Sequence, residues 1–403
     1  MTQQRFRRCA ASVTLLIGIS TQAPLIADDW PHFRGPNYDG VSGETGLKTE
    51  WSTPIPLVWE RKVGSAFSSF AVVGDRVYTG GTENKQQTLV CLSAANGDVL
   101  WQSPVEAEYV ERQGGDGPRA TPTVADGRVY TMGARGRLLC VDAASGKEIW
   151  SRAFGGPPIW GYSASVLIEG GRAIVSAGGR DGALAAFDAR SGEPVWKTGT
   201  SKAGYATPYP FTHEGVRYVA GFVADGLLVV RADDGREVWS LPWETDWDVN
   251  AAAPIYHEGH LFFSSGYGTG ACLVRLETKG ERLSATEVWR SKVLRNKFQS
   301  SVLHDGHLYA SDERALRCVE FLTGAERWNV PRIQDSTLVL AQGHVFLLTE
   351  EGELQIAAAT PSGFNPKTTA RILDGRCWSV PVLHNGRLYA RDQERVVAFQ
   401  VRP

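Results

Sequence analysis

The sequence predicts an all-β chain closed into a ring of eight four-stranded antiparallel blades. Three observations carry this. A short phrase ending in tryptophan recurs at a blade-like period, a hairpin signature occurs eight times, and an extra strand-like segment near the start matches the end of the phrase.

The phrase places glycine four residues before tryptophan at Gly97/Trp101, Gly146/Trp150, Gly192/Trp196, Gly235/Trp239 and Gly324/Trp328, while Trp289 ends a stretched copy. From Trp101 the intervals are 49, 46, 43, 50 and 39 residues, which is the length of a blade and too short for a domain. In CVDAASGKEIW (140–150) the glycine suits a tight turn with positive φ. The tryptophan is expected to bury against the neighbouring blade, with its N–H on a backbone carbonyl there. Cys91, Cys140 and Cys318 each stand ten residues before a repeat tryptophan, where the third copy has Ala186. That is a packing register of small residues, unlike the spacing of metal ligands. Cys272 and Cys377 fall outside it, and a disulfide between them stays open.

The hairpins alternate apolar residues around a two-residue turn containing glycine, as in TVADGRVY (123–130), PIYHEGHLFF (254–263) and PVLHNGRLYA (381–390). The chain ends before the eighth hairpin receives a fourth strand. PLVWERKVG (56–64) precedes the first hairpin, and Trp59 in it matches the end of the phrase. This N-terminal strand is therefore expected to complete the last blade, which removes the exposed edges of an open array. The expected organisation is a signal over 1–27, an extension over 28–55 and one propeller over 56–403.

Arg5, Arg7 and Arg8 followed by the apolar run Ala10–Ile19 and by Ala27 read as a secretory signal, too short to span a bilayer. The expected location is periplasmic or secreted, with no transmembrane span. The 42 Lys+Arg and 44 Asp+Glu give a formal charge of −2 with no basic stripe, so a nucleic-acid partner has no electrostatic support. A monomer is expected.

CVDAASGKEIW, AFDARSGEPVW and CVEFLTGAERW resemble the A-x-D-x-x-(T/S)-G-x-x-x-W motif of the pyrroloquinoline quinone (PQQ)-like eight-bladed propellers. The resemblance covers residues about 56–401. WPHFRGPNYDGVS (30–42) is similar to the N-terminal signature of many secreted bacterial members, and its Arg34–Gly35–Pro36–Asn37 run reads as a turn. The resemblance implies one of two roles. Quinoprotein dehydrogenases bind PQQ and Ca²⁺ in the central funnel and oxidise alcohols or aldose sugars. Propellers such as BamB, the outer-membrane-protein assembly factor, are non-catalytic docking platforms. The chain lacks the adjacent cysteines of the alcohol-oxidising members and has little loop material for a lid. The expected role is binding or scaffolding with no cofactor and no metal; the alternative is the PQQ- and Ca-dependent dehydrogenase.

Candidate contact residues come from the positions just before each inner strand: Phe67, Arg119, Tyr162, Tyr205, Asn250, Gln299, Asp335 and Trp378. Together they would form a polar and aromatic funnel for a small ligand or a protein partner. Arg119 reads either as an anion anchor or as a structural salt bridge. The acidic segment WETDWDVN (243–250) adds Trp243, Glu244, Asp246, Trp247 and Asp248. It is open to three readings, a solvated loop, a docking loop or a cation site. The BamB-like members carry an acidic Asp-x-Asp stretch that Asp246–Trp247–Asp248 resembles. Trp59, Trp101, Trp150, Trp196, Trp239, Trp289 and Trp328 are assigned to blade-to-blade packing. The loop 102–119 is the longest insertion, with a glycine-rich tip, and RSKVLRNKF (290–298) reads as a solvated basic patch.

Overall fold

A computed structural model describes residues 29–403; the signal expected over 1–27 lies outside them. Eight antiparallel sheets follow one another around a ring, over residues 71–107, 123–153, 167–198, 209–242, 255–291, 302–331, 337–371 and 382–400. The last is completed by Leu57–Lys62, which pairs antiparallel with Arg395–Gln400 and sets Trp59 opposite Ala398. Both ends of the propeller thus share one blade.

The repeated residues have local causes. In the hairpin turn Asp126–Gly127 both residues have positive φ, 49° and 71°, as a type I′ turn requires. In the phrase, Asp142 Oδ1 accepts from the Ser145 N–H (2.8 Å) and hydroxyl (2.6 Å), and these bonds hold its carboxyl below the usual range. Gly146 then turns with φ 71°, and the outer strand bulges before Trp150.

Glycine has a second reason to be there. A Cβ at Gly146 would lie 2.6 Å from the Trp101 ring of the preceding blade, and one at Gly97 would lie 2.6 Å from Trp59. Trp59, Trp101, Trp150, Trp196 and Trp289 lie against the glycine turn of the following blade. Trp59, Trp101, Trp150, Trp289 and Trp328 donate to Ala94, Ala143, Ala189, Phe321 and Thr360 at 2.8–3.2 Å. The buried Trp196 N–H has no acceptor among the described residues. Cys91, Cys140 and Cys318 pair in register with Trp101, Trp150 and Trp328.

Three sequence expectations change. Cys272 and Cys377 are both buried free thiols, so the open disulfide does not form. The 290–298 segment enters the core: Leu294 and Asn296 are fully buried, and Arg295 lies 3.7 Å from Glu313.

The third change concerns the extension, whose turn is part of a long strap across one end of the ring. Trp30 pairs with Val72 of the first blade, and the Pro31 carbonyl accepts from Val124 of the second. Arg34 is fully buried and donates to the Ser301 carbonyl of the sixth (2.6 Å). Val41–Ser42 adds a parallel strand to the seventh, and the Glu44 carboxylate accepts from Asn385 and Gly386 of the eighth. The seventh blade lacks a repeat tryptophan; there Thr368 hydrogen-bonds with Thr49 and Trp51 of the extension.

Candidate functional site

Inner strands of a closed propeller converge on an axial channel, and the strap seals one end of it with Phe33 facing inward. Above Phe33 lies a cavity of about 310 Å³, walled by Phe67, Trp160, Tyr205, Tyr267, Phe298 and Trp378. Among the described residues no acidic side chain lines it, and Arg119 and Lys297 are its two cations.

Of the candidates named from sequence, the structure brings Phe67, Arg119, Tyr205, Gln299 and Trp378 together around this cavity. Trp378 packs between Phe67 (5.2 Å between centroids) and Phe298 (4.8 Å), and its N–H is held by Glu350 at 3.0 Å. Gln299 donates to Asp335 Oδ1 (3.2 Å), whose other oxygen lies 3.5 Å from the Lys297 ammonium. Asp335 thus stands behind the wall. Arg119 lines the cavity and makes no salt bridge among the described residues. Its guanidinium donates to the carbonyls of Gly117 and Gly115, both at 2.7 Å, and lies 4.8 Å from the Tyr109 ring centre. It pins the glycine-rich tip of the long loop at the mouth, where Gln113 and Gly114 line the cavity. Burial lowers its pKa, and a guanidinium remains charged nonetheless.

Tyr162 and Asn250 lie outside the cavity. The Tyr162 hydroxyl donates to Ala177 (2.8 Å). Asn250 is fully buried and donates to Val223 (2.8 Å) and Trp243 (3.1 Å), while its oxygen accepts from Ser265 (2.6 Å). The 243–250 segment divides. Trp243 is buried with its N–H on Ser265, whereas Trp247 is 62% exposed. Trp247 and Asp248 have φ of 65° and 60°, a left-handed pair that holds the indole outward. Asp248 meets Lys202 at 2.9 Å; Glu244 and Asp246 belong to the same rim turn. Beside Trp247, Trp160 makes an edge contact at 6.4 Å. Tyr109 bonds the Ile159 carbonyl at 3.0 Å, and Val110 and Ile159 are 64% and 61% exposed. These loops form an apolar crest on one side of the mouth.

Sequence reading missed the hydroxyls deeper in the channel. The N–H of Ser69 donates to Thr121 Oγ1, that of Thr121 to Ser165 Oγ, and that of Ser165 to Thr207 Oγ1 (2.9–3.2 Å). Each bond ties one blade to the next. The signal was available: Ser69, Thr121, Ser165, Ser300 and Thr337 all stand five residues before the first residue of a hairpin turn.

The residues do not fit a calcium-bound quinone. Calcium takes six or more oxygens, usually with carboxylates among them, and this cavity offers neutral hydroxyls and amides. Among the described residues no group of three His, Cys, Asp or Glu is placed to hold a metal ion, and no helix is long and apolar enough to cross a membrane.

Quinohemoprotein alcohol dehydrogenase ADH IIB of Pseudomonas putida is 32% identical over 194 residues, 40% of this chain and 27% of that protein. The outer membrane protein assembly factor BamB of Alkalilimnicola ehrlichii is 34% identical over 180 residues, 43% of this chain and 40% of its own. The chain thus spans less than half the length of either relative. The crystal structure of BamB from Moraxella catarrhalis superposes with a TM-score of 0.61 at 15% identity, over 86% of this chain and 98% of that one. The family model described as outer membrane protein assembly factor BamB matches residues 42–130 and 85–329. With the eight blades closed on a shared N-terminal strand, that match places the chain in this PQQ-like propeller family.

Proposed function

We propose that the protein is a non-catalytic binding propeller, exported beyond the inner membrane, which docks a protein partner at the open mouth of its funnel. The observation that carries this is the crest of Val110, Ile159 and Trp247, each more than 60% exposed on loops fastened to one another. Exposed apolar clusters on a rigid scaffold mark interaction sites. A left-handed backbone at a tryptophan costs about 1–2 kcal/mol, and here it is spent on exposing the indole. The tryptophan phrases are the frame of the platform, locking blade to blade. The BamB relatives suggest a partner in outer-membrane assembly. The dehydrogenase relatives suggest a quinone site, which the donor set disfavours.

Two measurements test this. Photo-crosslinking residues placed at Ile159 and Trp247 should each capture the same protein in the native host, with none at Leu322. No adduct at either crest position overturns the docking role. Titration with PQQ and Ca²⁺, followed by absorbance and by dye-linked alcohol or aldose oxidation, should show neither stoichiometric uptake nor turnover. Turnover overturns the non-catalytic reading.

A further inference from the structure

The cavity beneath the mouth carries hydroxyls and two cations, with no carboxylate among the described residues, and partner docking does not use them. The hydroxyls of Thr121, Ser165 and Thr207 line it from three successive blades. Each accepts a backbone N–H from the preceding blade, and none has an acceptor for its own hydrogen among the described residues. Their counterparts on the other side differ. Ser69, Ser379 and Thr337 donate to the carbonyls of Val380, Phe67 and Ser379 at 2.6–3.0 Å. Trp160 and Tyr267 line the same space, and the Tyr267 hydroxyl and the Trp160 indole N–H have no protein partner among the described residues. Lys297 and Arg119 complete the polar lining as cations. The hydroxyl hydrogens of the arc are therefore free to donate, the charged side chains lining the space are both cations, and no carboxylate lines it among the described residues; Phe67, Phe298 and Trp378 supply an aromatic part of the remaining wall.

We propose that this cavity is a binding site for a small organic carboxylate with an aromatic or branched aliphatic body. Its carboxylate would accept from the donors while its body lies among Phe67, Phe298 and Trp378. An acceptor-only anion matches the unpaired hydroxyl hydrogens and the two cations, whereas a cation meets no carboxylate in the lining. Lys297 shares its charge with Asp335, so the site favours one negative charge over several. The strap closes the channel below Phe33, so entry is from the mouth, past the long loop that Arg119 pins. This goes beyond the docking role and does not depend on it.

The test is calorimetric titration of the full chain with 3-phenylpropionate, its primary amide and 3-phenylpropylamine. The acid should bind with the amide at least ~10-fold weaker and the amine undetectable, since hydrogen bonds to an ionised acceptor are the stronger ones. Removing a hydroxyl of the arc would orphan a backbone N–H and threaten folding, so the variants are chosen elsewhere. Tyr267→Phe orphans nothing in the protein and should weaken the acid ~3–10-fold with little effect on the amide. Ala251→Phe, at a lining position without a side-chain hydrogen bond to break, should abolish binding with the melting temperature kept. Equal binding of acid and amide, acid binding undiminished by Ala251→Phe, or no saturation by about 1 mM acid would each overturn the proposal. Photo-crosslinking at the crest does not bear on these outcomes.

Discussion

Trp59→Ala should be among the most damaging single substitutions in the chain, although Trp59 lies on an outermost strand near one end. The residue is 6% exposed. Its N–H donates to Ala94 at 2.9 Å, its ring fills the space above Gly97, where a Cβ would come within 2.6 Å, and its centroid is 6.0 Å from Tyr389. Truncation strips contacts from the first and last blades at once, at the seam where the ring closes. Buried Trp→Ala changes cost about 3–5 kcal/mol, of which the hydrogen bond supplies ~1 kcal/mol. Unfolding entropy grows with chain length, so each kcal/mol lowers Tm by roughly 1.3 °C in a body of this size, a fall of ~4–6 °C for Trp59→Ala. Trp59→Phe, which keeps most of the ring and loses the N–H, should cost ~1 kcal/mol. Trp247→Ala, the same chemical change at 62% exposure, should stay within about 0.5 kcal/mol. Calorimetric melts of the three variants decide the matter. Equal shifts for Trp59→Ala and Trp247→Ala would refute the seam as the place where this indole acts.

Gly146 and Gly127 share a φ of 71°, but only Gly146 has a neighbour within 4 Å of an added Cβ, the Trp101 ring. Gly127→Ala should therefore cost only the left-handed strain of ~1–2 kcal/mol, and Gly146→Ala a further ~1–3 kcal/mol of overpacking, read by urea denaturation. His32 is buried, stacked on Tyr38 at 3.8 Å, and desolvation lowers its pKa from 6.5 to about 4. The unfolded chain therefore takes up that proton first as pH falls. Stability present above 6.5 should drain by up to ~3 kcal/mol towards pH 4, and His32→Gln should flatten a pH series of melts. Cys91, Cys140, Cys272, Cys318 and Cys377 are all buried, with desolvation pushing Cys140 up to about 12. A thiol reagent at pH 8 should leave these five untouched in the native protein and modify them in urea.

The propeller was legible because each of its signals is local. A hairpin needs its turn pair, and the Asp142–Ser145–Gly146 turn is closed by bonds spanning three or four residues. Even the seam could be inferred, since Trp59 carries the same landmark as the other blades. The strap was not legible for the opposite reason. Its contacts join residues separated by 267 positions (Arg34 to Ser301) and 342 positions (Glu44 to Gly386). Nothing periodic in residues 30–47 announces them, and read alone Arg34–Gly35–Pro36–Asn37 is only a turn.

The funnel shows a sharper limit. Taking the position just before each inner strand found Phe67, Arg119, Tyr205, Gln299 and Trp378, yet it missed by a single residue elsewhere. Ser163 lines the cavity and Tyr162 does not; Val249 and Ala251 line it while Asn250 between them points away. Extended backbone sends successive side chains to opposite sides, so a one-residue error in register exchanges an inward group for an outward one. The hydroxyls escape that error because they are counted from the turn itself. Ser69, Thr121 and Ser165 lie five residues before Gly74, Asp126 and Gly170. The fourth blade departs from the count, since five residues before its turn stands Tyr209, the first residue of its inner strand. Thr207 reaches the equivalent place from two positions further back, and it accepts the Ser165 N–H as Ser165 accepts that of Thr121. What this arc of four blades holds constant is therefore a blade-to-blade hydrogen bond, and at the fourth blade the sequence position that supplies it shifts to keep that bond.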